Sequence, residues 1–124
     1  MNRVAITSAK RVVIKIGSSS LTGSAGSELD PQAVQKVVDL ACSLKKRGSE
    51  VVVVSSGAIA AGLSPIGLKV RPKDLATQQA AASVGQGLLI AQYSEKFKEH
   101  GVISSQVLLT TEDVVRRSHY ANAQ

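Results

Sequence analysis

The chain has 124 residues, of which 44% are hydrophobic and only 2% are aromatic. This length fits one domain or part of one, and a hydrophobic fraction made mainly of Val, Ala, Leu and Ile is typical of buried parallel strands and stacked helices. The formal net charge of +6 admits three kinds of acidic partner, namely nucleic acid, a membrane surface and a phosphorylated small molecule.

Other features of the composition narrow these classes. Two tyrosines and one phenylalanine are too few for base-stacking platforms, no apolar run reaches membrane-spanning length, and the amino terminus lacks the apolar run of a signal peptide. The single Cys42 lies in a helical pattern and has no cysteine partner for a disulfide or a metal site. We therefore expect a cytoplasmic α/β protein that has no membrane segment, and nucleic-acid binding by this segment is the weaker alternative.

The first predicted element is a strand over residues 10–16 (KRVVIKI), which Gly17 ends. Its nearly continuous apolar character predicts that both of its faces are covered. Asp30 and Pro31 then predict the start of a helix, as N-cap and first helical residue, and Gly48 predicts its end. The apolar residues at helical spacing between them are Val34, Val37, Val38, Ala41 and Leu44.

A second strand is predicted over residues 51–54, and a strand, helix, strand order of this length predicts a right-handed crossover with parallel strands. A short helix over residues 58–63 follows, which Pro65 and Gly67 end. Residues 69–73 form a basic loop, whose charge we attribute to a solvated surface.

The longest helical pattern covers residues 74–100 and ends at Gly101. Its apolar face is wide enough to need two neighbours, the sheet and, by hypothesis, a second subunit. This face consists of Val84, Leu88 and Ala91 beside Leu89, Tyr93 and Phe97. Residues 102–109 (VISSQVLL) predict a third strand, and Thr110 or Thr111 predicts the cap of a final helix. Because the chain stops inside that helix, with an edge of the sheet bare, we expect it to be part of a larger domain.

Lys15 is the first candidate for chemistry, because it lies beside the end of the first strand, where open parallel sheets bind ligands. In a covered strand its charge would need an anion or a route to solvent. The alternative is an edge-strand lysine that opposes aggregation. Residues 17–20 form a small-residue loop whose amides and hydroxyls can face phosphate oxygens, or else an ordinary turn. The loop matches neither the Walker motif nor the dinucleotide fingerprint.

Ser55, Ser56 and Gly57 form a second such loop, which opens directly into the short helix at Ala58. Free amides at a helix N-terminus suit an anionic substrate or a transferring phosphoryl group. The alternative is that Ser56 only caps the helix. The SVGQG string at residues 83–87 falls inside the long helical pattern, which favours close helix packing over a nucleotide loop.

Four strings resemble the amino-terminal part of the glutamate 5-kinase family, within the amino acid kinase superfamily: VVIKIGSSSLTG (12–23), VVVVSSGAIAAG (51–62), QQAAASVGQGLL (78–89) and QVLLTTEDV (106–114). The SSGAIAAG string separates the chain from acetylglutamate, aspartate and uridylate kinases of the same fold. The resemblance implies a three-layer αβα sandwich with a mainly parallel sheet. Residues 1–124 would be the amino-terminal part of its catalytic domain.

The resemblance also implies an activity, namely ATP-dependent phosphorylation of the side-chain carboxylate of L-glutamate to L-glutamyl 5-phosphate, the first step of proline biosynthesis. ATP and Mg²⁺ are the implied cofactors, and Lys15 is the implied catalytic residue. By position, the ATP-binding residues would be Lys15, Gly17, Ser18 and Ser19. The glutamate-binding residues would be Ser56, Gly57 and Ala58.

Further site residues of this family would lie beyond Gln124, so we expect the isolated chain to be inactive. Because of the wide apolar face of the long helix, we expect the intact protein to be a homo-oligomer. Two alternatives remain open from the sequence. One is another amino acid kinase that has a different acceptor. The other is a noncatalytic fragment that uses its basic charge for interactions.

Overall fold

The computed structural model describes residues 7–117 and residue 121. In chain order the elements are β1 (Arg11–Ile16), α1 (Pro31–Lys46), β2 (Glu50–Ser55), α2 (Ala58–Leu63), α3 (Leu75–Glu99) and α4 (Thr111–Val115). Single turns of 3-10 helix lie at Ser18–Ser20 and Ser64–Ile66. The predicted α/β fold class is confirmed. No helix in the described part of the chain is long and apolar enough to cross a membrane.

The strands β1 and β2 pair in parallel, with Arg11 opposite Glu50 and Ile16 opposite Ser55. For the two strands to be parallel, the chain must return to the end of the sheet where β1 begins, and α1 lies in this crossover connection. Asp30 begins α1 as predicted, since its carboxylate accepts a hydrogen bond from the backbone N–H of Gln32 at 2.9 Å.

The core lies between one face of the sheet and the helices α1 and α3. Alternate strand residues pack into it, namely Ile14, Ile16, Val51 and Val53. Leu21, Val34, Val38 and Leu89 are its largest fully buried side chains. Cys42 is also buried, as expected for a structural thiol, and burial raises the pKa of this thiol above its ordinary value.

The opposite face of the sheet is exposed over the described residues, so the prediction that both faces are covered is wrong there. Burial alternates along both strands because the described helices pack on one side only. Val13 is 60% exposed, and Lys15 is exposed on the same face. The ammonium group of Lys15 therefore carries no burial cost in this part of the molecule.

The prediction of a third strand over residues 102–109 is also wrong. This segment is irregular, since a strand needs a hydrogen-bonded neighbour and the sheet within the described residues has only β1 and β2. Ile103 is 97% exposed, and Val107, Leu108 and Leu109 are exposed as well. The apolar pattern of residues 102–109 thus indicates that they can form a strand. It does not indicate whether a neighbouring strand is present to pair with them.

The two ends of α3 follow the sequence prediction. The carboxylate of Asp74 accepts from the backbone N–H of Thr77 at 2.8 Å, and Gly101 follows the helix with a φ of +69°. Thr110, rather than Thr111, caps α4, in a capping box with Asp113. The predicted continuation of α4 towards Gln124 lies largely outside the described residues.

The helices α2 and α3 cross with their backbones in direct contact. A Cβ atom on Gly85 would overlap the carbonyl oxygen of Ala58 and lie 2.5 Å from the nitrogen of Gly62. A Cβ atom on Gly62 would lie 2.7 Å from the carbonyl carbon of Ala81. The helix-packing interpretation of the SVGQG string is confirmed at Gly85, and it places α2 closer to α3 than any side chain would permit.

Candidate active site

The two small-residue loops lie side by side at the carboxyl ends of β1 and β2. The backbone N–H of Ser56 donates to the carbonyl oxygen of Ile16 at 3.0 Å. This bond ties the start of the second loop to the last residue of β1. Because parallel strands end at the same edge of a sheet, both loops face one side of the molecule, as predicted.

The first loop folds into a single 3-10 turn. The backbone N–H of Ser20 donates to the carbonyl of Gly17 at 3.1 Å, and the N–H of Leu21 donates to the carbonyl of Ser18 at 3.0 Å. Leu21 is fully buried and fixes the turn to the core. The hydroxyl groups of Ser18 and Ser19 consequently remain at the surface.

The second loop turns at Gly57, which has a φ of +116° and is the N-cap residue of α2. Glycine adopts this left-handed conformation without steric cost, which explains its place between strand and helix. No side-chain hydrogen bond caps α2, so the alternative in which Ser56 caps the helix is wrong. The Ser56 hydroxyl makes no hydrogen bond to another described residue and is free to meet a ligand.

Ser55 anchors this loop to α3 through Tyr93. The Ser55 hydroxyl oxygen lies 3.0 Å from that of Tyr93, and either hydroxyl can donate this hydrogen bond. The Ser55 hydroxyl also lies 3.0 Å from the carbonyl oxygen of Ser56. Burial raises the pKa of Tyr93 above its ordinary value, against the opposing effect of the Ser55 hydrogen bond. Tyr93 therefore keeps its proton at neutral pH. The sequence indicated only that Tyr93 belongs to the core.

A cleft of about 530 Å³ opens where the two loops meet. This volume falls within the range of roughly 300–1,000 Å³ that small-molecule sites occupy. Of the predicted site residues, the cleft is lined by Ser18, Ser19, Ser56, Gly57 and Ala58. It is also lined by Ser55 of the predicted second loop, and by Thr22 and Arg71, which were not predicted as site residues from the sequence.

Lys15 and Gly17 do not line this cleft. Lys15 pairs with Val54 in the sheet register, and the alternation of β1 places its side chain on the exposed face, away from the core. Gly17 supplies the backbone carbonyl that begins the 3-10 turn. The structure thus brings the serine loops together and leaves Lys15 on the neighbouring sheet surface.

Arg71 is the basic side chain that lines the cleft. Its Nη2 donates to the side-chain oxygen of Gln78 at 3.1 Å. Its place in the site was not predictable from the sequence, because a run of Lys and Arg in a loop resembles an ordinary solvated surface. Only the return of the chain from α2 to α3 brings it to the strand ends.

The described residues do not fit a resident metal ion. No group of three or more His, Cys, Asp or Glu residues within them is arranged to hold one. The part of the cleft that they line also lacks a carboxylate, the group that Mg²⁺ prefers among protein ligands. The polar side chains among its described lining residues are serine and threonine hydroxyls and one guanidinium, which can all donate hydrogen bonds to anions.

Comparison with known proteins gives a consistent result. The pattern of the amino acid kinase family matches residues 10–124. The chain is 60% identical to a glutamate 5-kinase of Salinispora arenicola and 54% identical to one of Thermobifida fusca, over 95% and 98% of its own length. It is 48% identical to a glutamate 5-kinase of Clavibacter michiganensis. The chain spans 32%, 31% and 46% of the lengths of these relatives. This match covers most of the chain, and the α/β fold with its two loops at the strand ends agrees with it. The chain belongs to the amino acid kinase family.

Proposed function

We propose that the full-length protein transfers the γ-phosphate of ATP to the side-chain carboxylate of L-glutamate and forms L-glutamyl 5-phosphate. The observation that carries this proposal is the cleft at the joined strand ends, which offers hydroxyl, amide and guanidinium donors and no carboxylate among its described residues. Such a lining attracts anions, and both substrates are anionic. The relatives with which the chain shares 54% and 60% identity are named glutamate 5-kinases, which supports glutamate as the acceptor.

The mechanism follows from the charges of the two substrates. A carboxylate and a triphosphate repel each other, so the protein must hold them in line and stabilise the transferring phosphoryl group. The carboxylate nucleophile is already ionised at neutral pH and needs no general base. In this proposal Ser18 and Ser19 donate to the phosphates, while Ser56 and the backbone at Gly57 and Ala58 hold glutamate. Mg²⁺ would be bound by the phosphates of ATP as part of the nucleotide complex and would neutralise part of their charge.

A coupled assay of the full-length protein tests this function. ADP release should depend on L-glutamate and should be much slower with N-acetylglutamate, aspartate or UMP. A preference for one of those three acceptors would contradict the proposal and assign a different kinase activity. Salt-dependent RNA binding that ATP does not compete with, together with no kinase activity, would favour the noncatalytic alternative.

Replacing Ser56 with alanine should raise the KM for glutamate by about 5-fold or more, the scale for one lost neutral hydrogen bond. The KM for ATP should stay unchanged, because Ser56 belongs to the second loop and not to the first. Steady-state kinetics that vary each substrate in turn measure this. Ser20→Ala is the matched control, since Ser20 is exposed beside the cleft but does not line it. An effect confined to ATP would refute the assignment of Ser56 to glutamate.

We also infer that the intact protein is cytoplasmic, acts in proline biosynthesis and is a homo-oligomer. On the apolar face of α3, Leu89, Tyr93 and Phe97 are buried in the core. Val84 and Leu88 form an exposed row beside them and are 42% and 43% exposed. An apolar row of this kind on a long helix suits a subunit contact. Light scattering at micromolar concentration tests the oligomer, and a monomer there would refute it.

A further inference from the structure

We propose that Arg71 binds the α-carboxylate of the amino acid acceptor and thereby sets the acceptor specificity of the enzyme. The inference rests on the proposed function and assigns a residue to a part of the substrate that does not react. Glutamate carries two carboxylates, and only one of them attacks the phosphoryl group. The other is an anion that the cleft must recognise at a separate point.

Arg71 brings an unpaired positive charge to the cleft. Among the described residues it is the one cationic side chain in the lining. The ion pairs within that part of the chain are Arg11–Glu50, His100–Asp39 and Arg116–Glu112, and none of them involves Arg71. An arginine beside hydroxyls and amides, without a protein carboxylate, is suited to an anionic ligand.

A hydrogen-bond clasp fixes the loop that carries Arg71. The side-chain amide of Gln78, in the first turn of α3, donates to the carbonyl of Pro72 at 2.9 Å and to that of Lys73 at 3.4 Å. The side-chain oxygen of the same Gln78 accepts from Arg71 Nη2 at 3.1 Å. One glutamine thus holds both the backbone of the loop and the guanidinium, which reduces the ordering cost of binding a ligand.

The remaining N–H donors of Arg71 are arranged to match the two oxygens of a carboxylate. A guanidinium has five N–H donors in a planar fork, and the hydrogen bond to Gln78 occupies one of them. The others can bind both oxygens of a carboxylate at once. A lysine at this position would keep the charge but lose the paired geometry.

The position of Arg71 favours glutamate over ATP as its ligand. Arg71 lies on the connection between α2 and α3, and Ile59, Ala60 and Leu63 of α2 line the same cleft. The residues proposed to hold glutamate, Ser56 to Ala58, lead directly into α2. The serines proposed to hold the phosphates come from the other loop, after β1. This continuity of the chain from Ser56 through α2 to Arg71 is why we assign Arg71 to the acceptor and not to the phosphates.

The test uses the full-length protein and compares Arg71→Gln, Arg71→Lys and Lys73→Gln with the wild type. Lys73 is exposed in the same loop and does not line the cleft, so Lys73→Gln removes an equal charge without removing the contact. We expect Arg71→Gln to raise the KM for L-glutamate by about 10-fold or more, as for a lost charge-assisted hydrogen bond. Arg71→Lys should have an intermediate effect, Lys73→Gln should have none, and the KM for ATP should not change.

A second acceptor makes the test specific to the α-carboxylate. 4-Aminobutyrate keeps the reacting carboxylate of glutamate but lacks the other one. The wild type should use it poorly, and Arg71→Gln should not reduce its kcat/KM further. Calorimetric titration of the same variants with L-glutamate should show the same loss of affinity without turnover.

Four outcomes would overturn the assignment of Arg71 to the α-carboxylate. A raised KM for ATP alone would mean that Arg71 binds a phosphate, and an equal effect of Lys73→Gln would reduce Arg71 to a general contribution of charge. Equal losses with glutamate and 4-aminobutyrate would also contradict it. If glutamate is phosphorylated normally by Arg71→Gln, only the assignment of Arg71 fails. If the wild type does not phosphorylate glutamate, the proposed function fails with it.

Discussion

Replacing Lys15 with alanine in the full-length protein should lower kcat by about 100-fold or more, the scale for losing one electrostatic donor to the transition state. Lys15 lies near the end of β1 on the sheet surface beside the cleft, and it does not line the cleft itself. We propose that its ammonium group reaches the transferring phosphoryl group from there and neutralises the charge that develops on it. Because Lys15 is exposed and belongs to none of the ion pairs among the described residues, its loss should change stability by less than about 0.5 kcal/mol. A catalytic defect with normal unfolding is the expected combination.

Lys10→Ala is the matched control for this experiment. Lys10 is exposed just before β1, at the opposite end of the strand from the loops, so its removal takes away the same charge far from the cleft. Comparing kcat and the urea-unfolding midpoint for the two variants separates a local role from a general one. An unchanged kcat for Lys15→Ala would remove this residue from the mechanism. Equal losses for both variants would point to net charge instead.

Replacing Gly85 with alanine should destabilise the protein by about 3 kcal/mol or more, at the upper end of the usual cost of overpacking. The added methyl group would meet backbone atoms of α2, which cannot rotate away as a side chain can. Since α2 begins at the cleft, any folded fraction should also bind glutamate more weakly. Urea unfolding of the full-length protein and the KM for glutamate measure the two effects.

The control for Gly85→Ala lies two residues further along the same helix. A Cβ atom on Gly87 would have no neighbour within 4 Å. Gly87→Ala should therefore leave the protein as stable as before or stabilise it by up to about 1 kcal/mol, because alanine favours the helical conformation over glycine. If both substitutions shift the unfolding midpoint equally, then the backbone contact between α2 and α3 does not determine stability.

The sequence was sufficient to predict features that depend on local chemistry. Asp30 and Pro31 mark the start of α1. The carboxylate of Asp30 accepts a hydrogen bond from a backbone N–H of the first turn, and Pro31 has no N–H group that would need an acceptor. The helix α2 has the predicted bounds, since Gly57 opens it and Pro65 and Gly67 follow it. The two serine loops also follow from local reasoning, because parallel strands end at one edge.

Features that depend on distant partners were not predictable in this way. Strand periodicity in residues 102–109 carries no information about whether a neighbouring strand exists. The role of Arg71 depends on the return of the chain towards the cleft. The contact between α2 and α3 does have a signal in the sequence. Small residues recur four apart on both helices, at Ala58 and Gly62 and at Ala81 and Gly85.

The irregular segment over residues 102–109 affects how this chain behaves when it is produced on its own. Its exposed aliphatic side chains lie beside a sheet that has only two strands within the described residues, and we expect such a surface to join one molecule to the next. The resulting self-association would rise with concentration and would reduce the soluble yield. Poor solubility of the chain produced alone would then be caused by this exposed apolar segment, and not by a failure of the core between the sheet, α1 and α3 to fold.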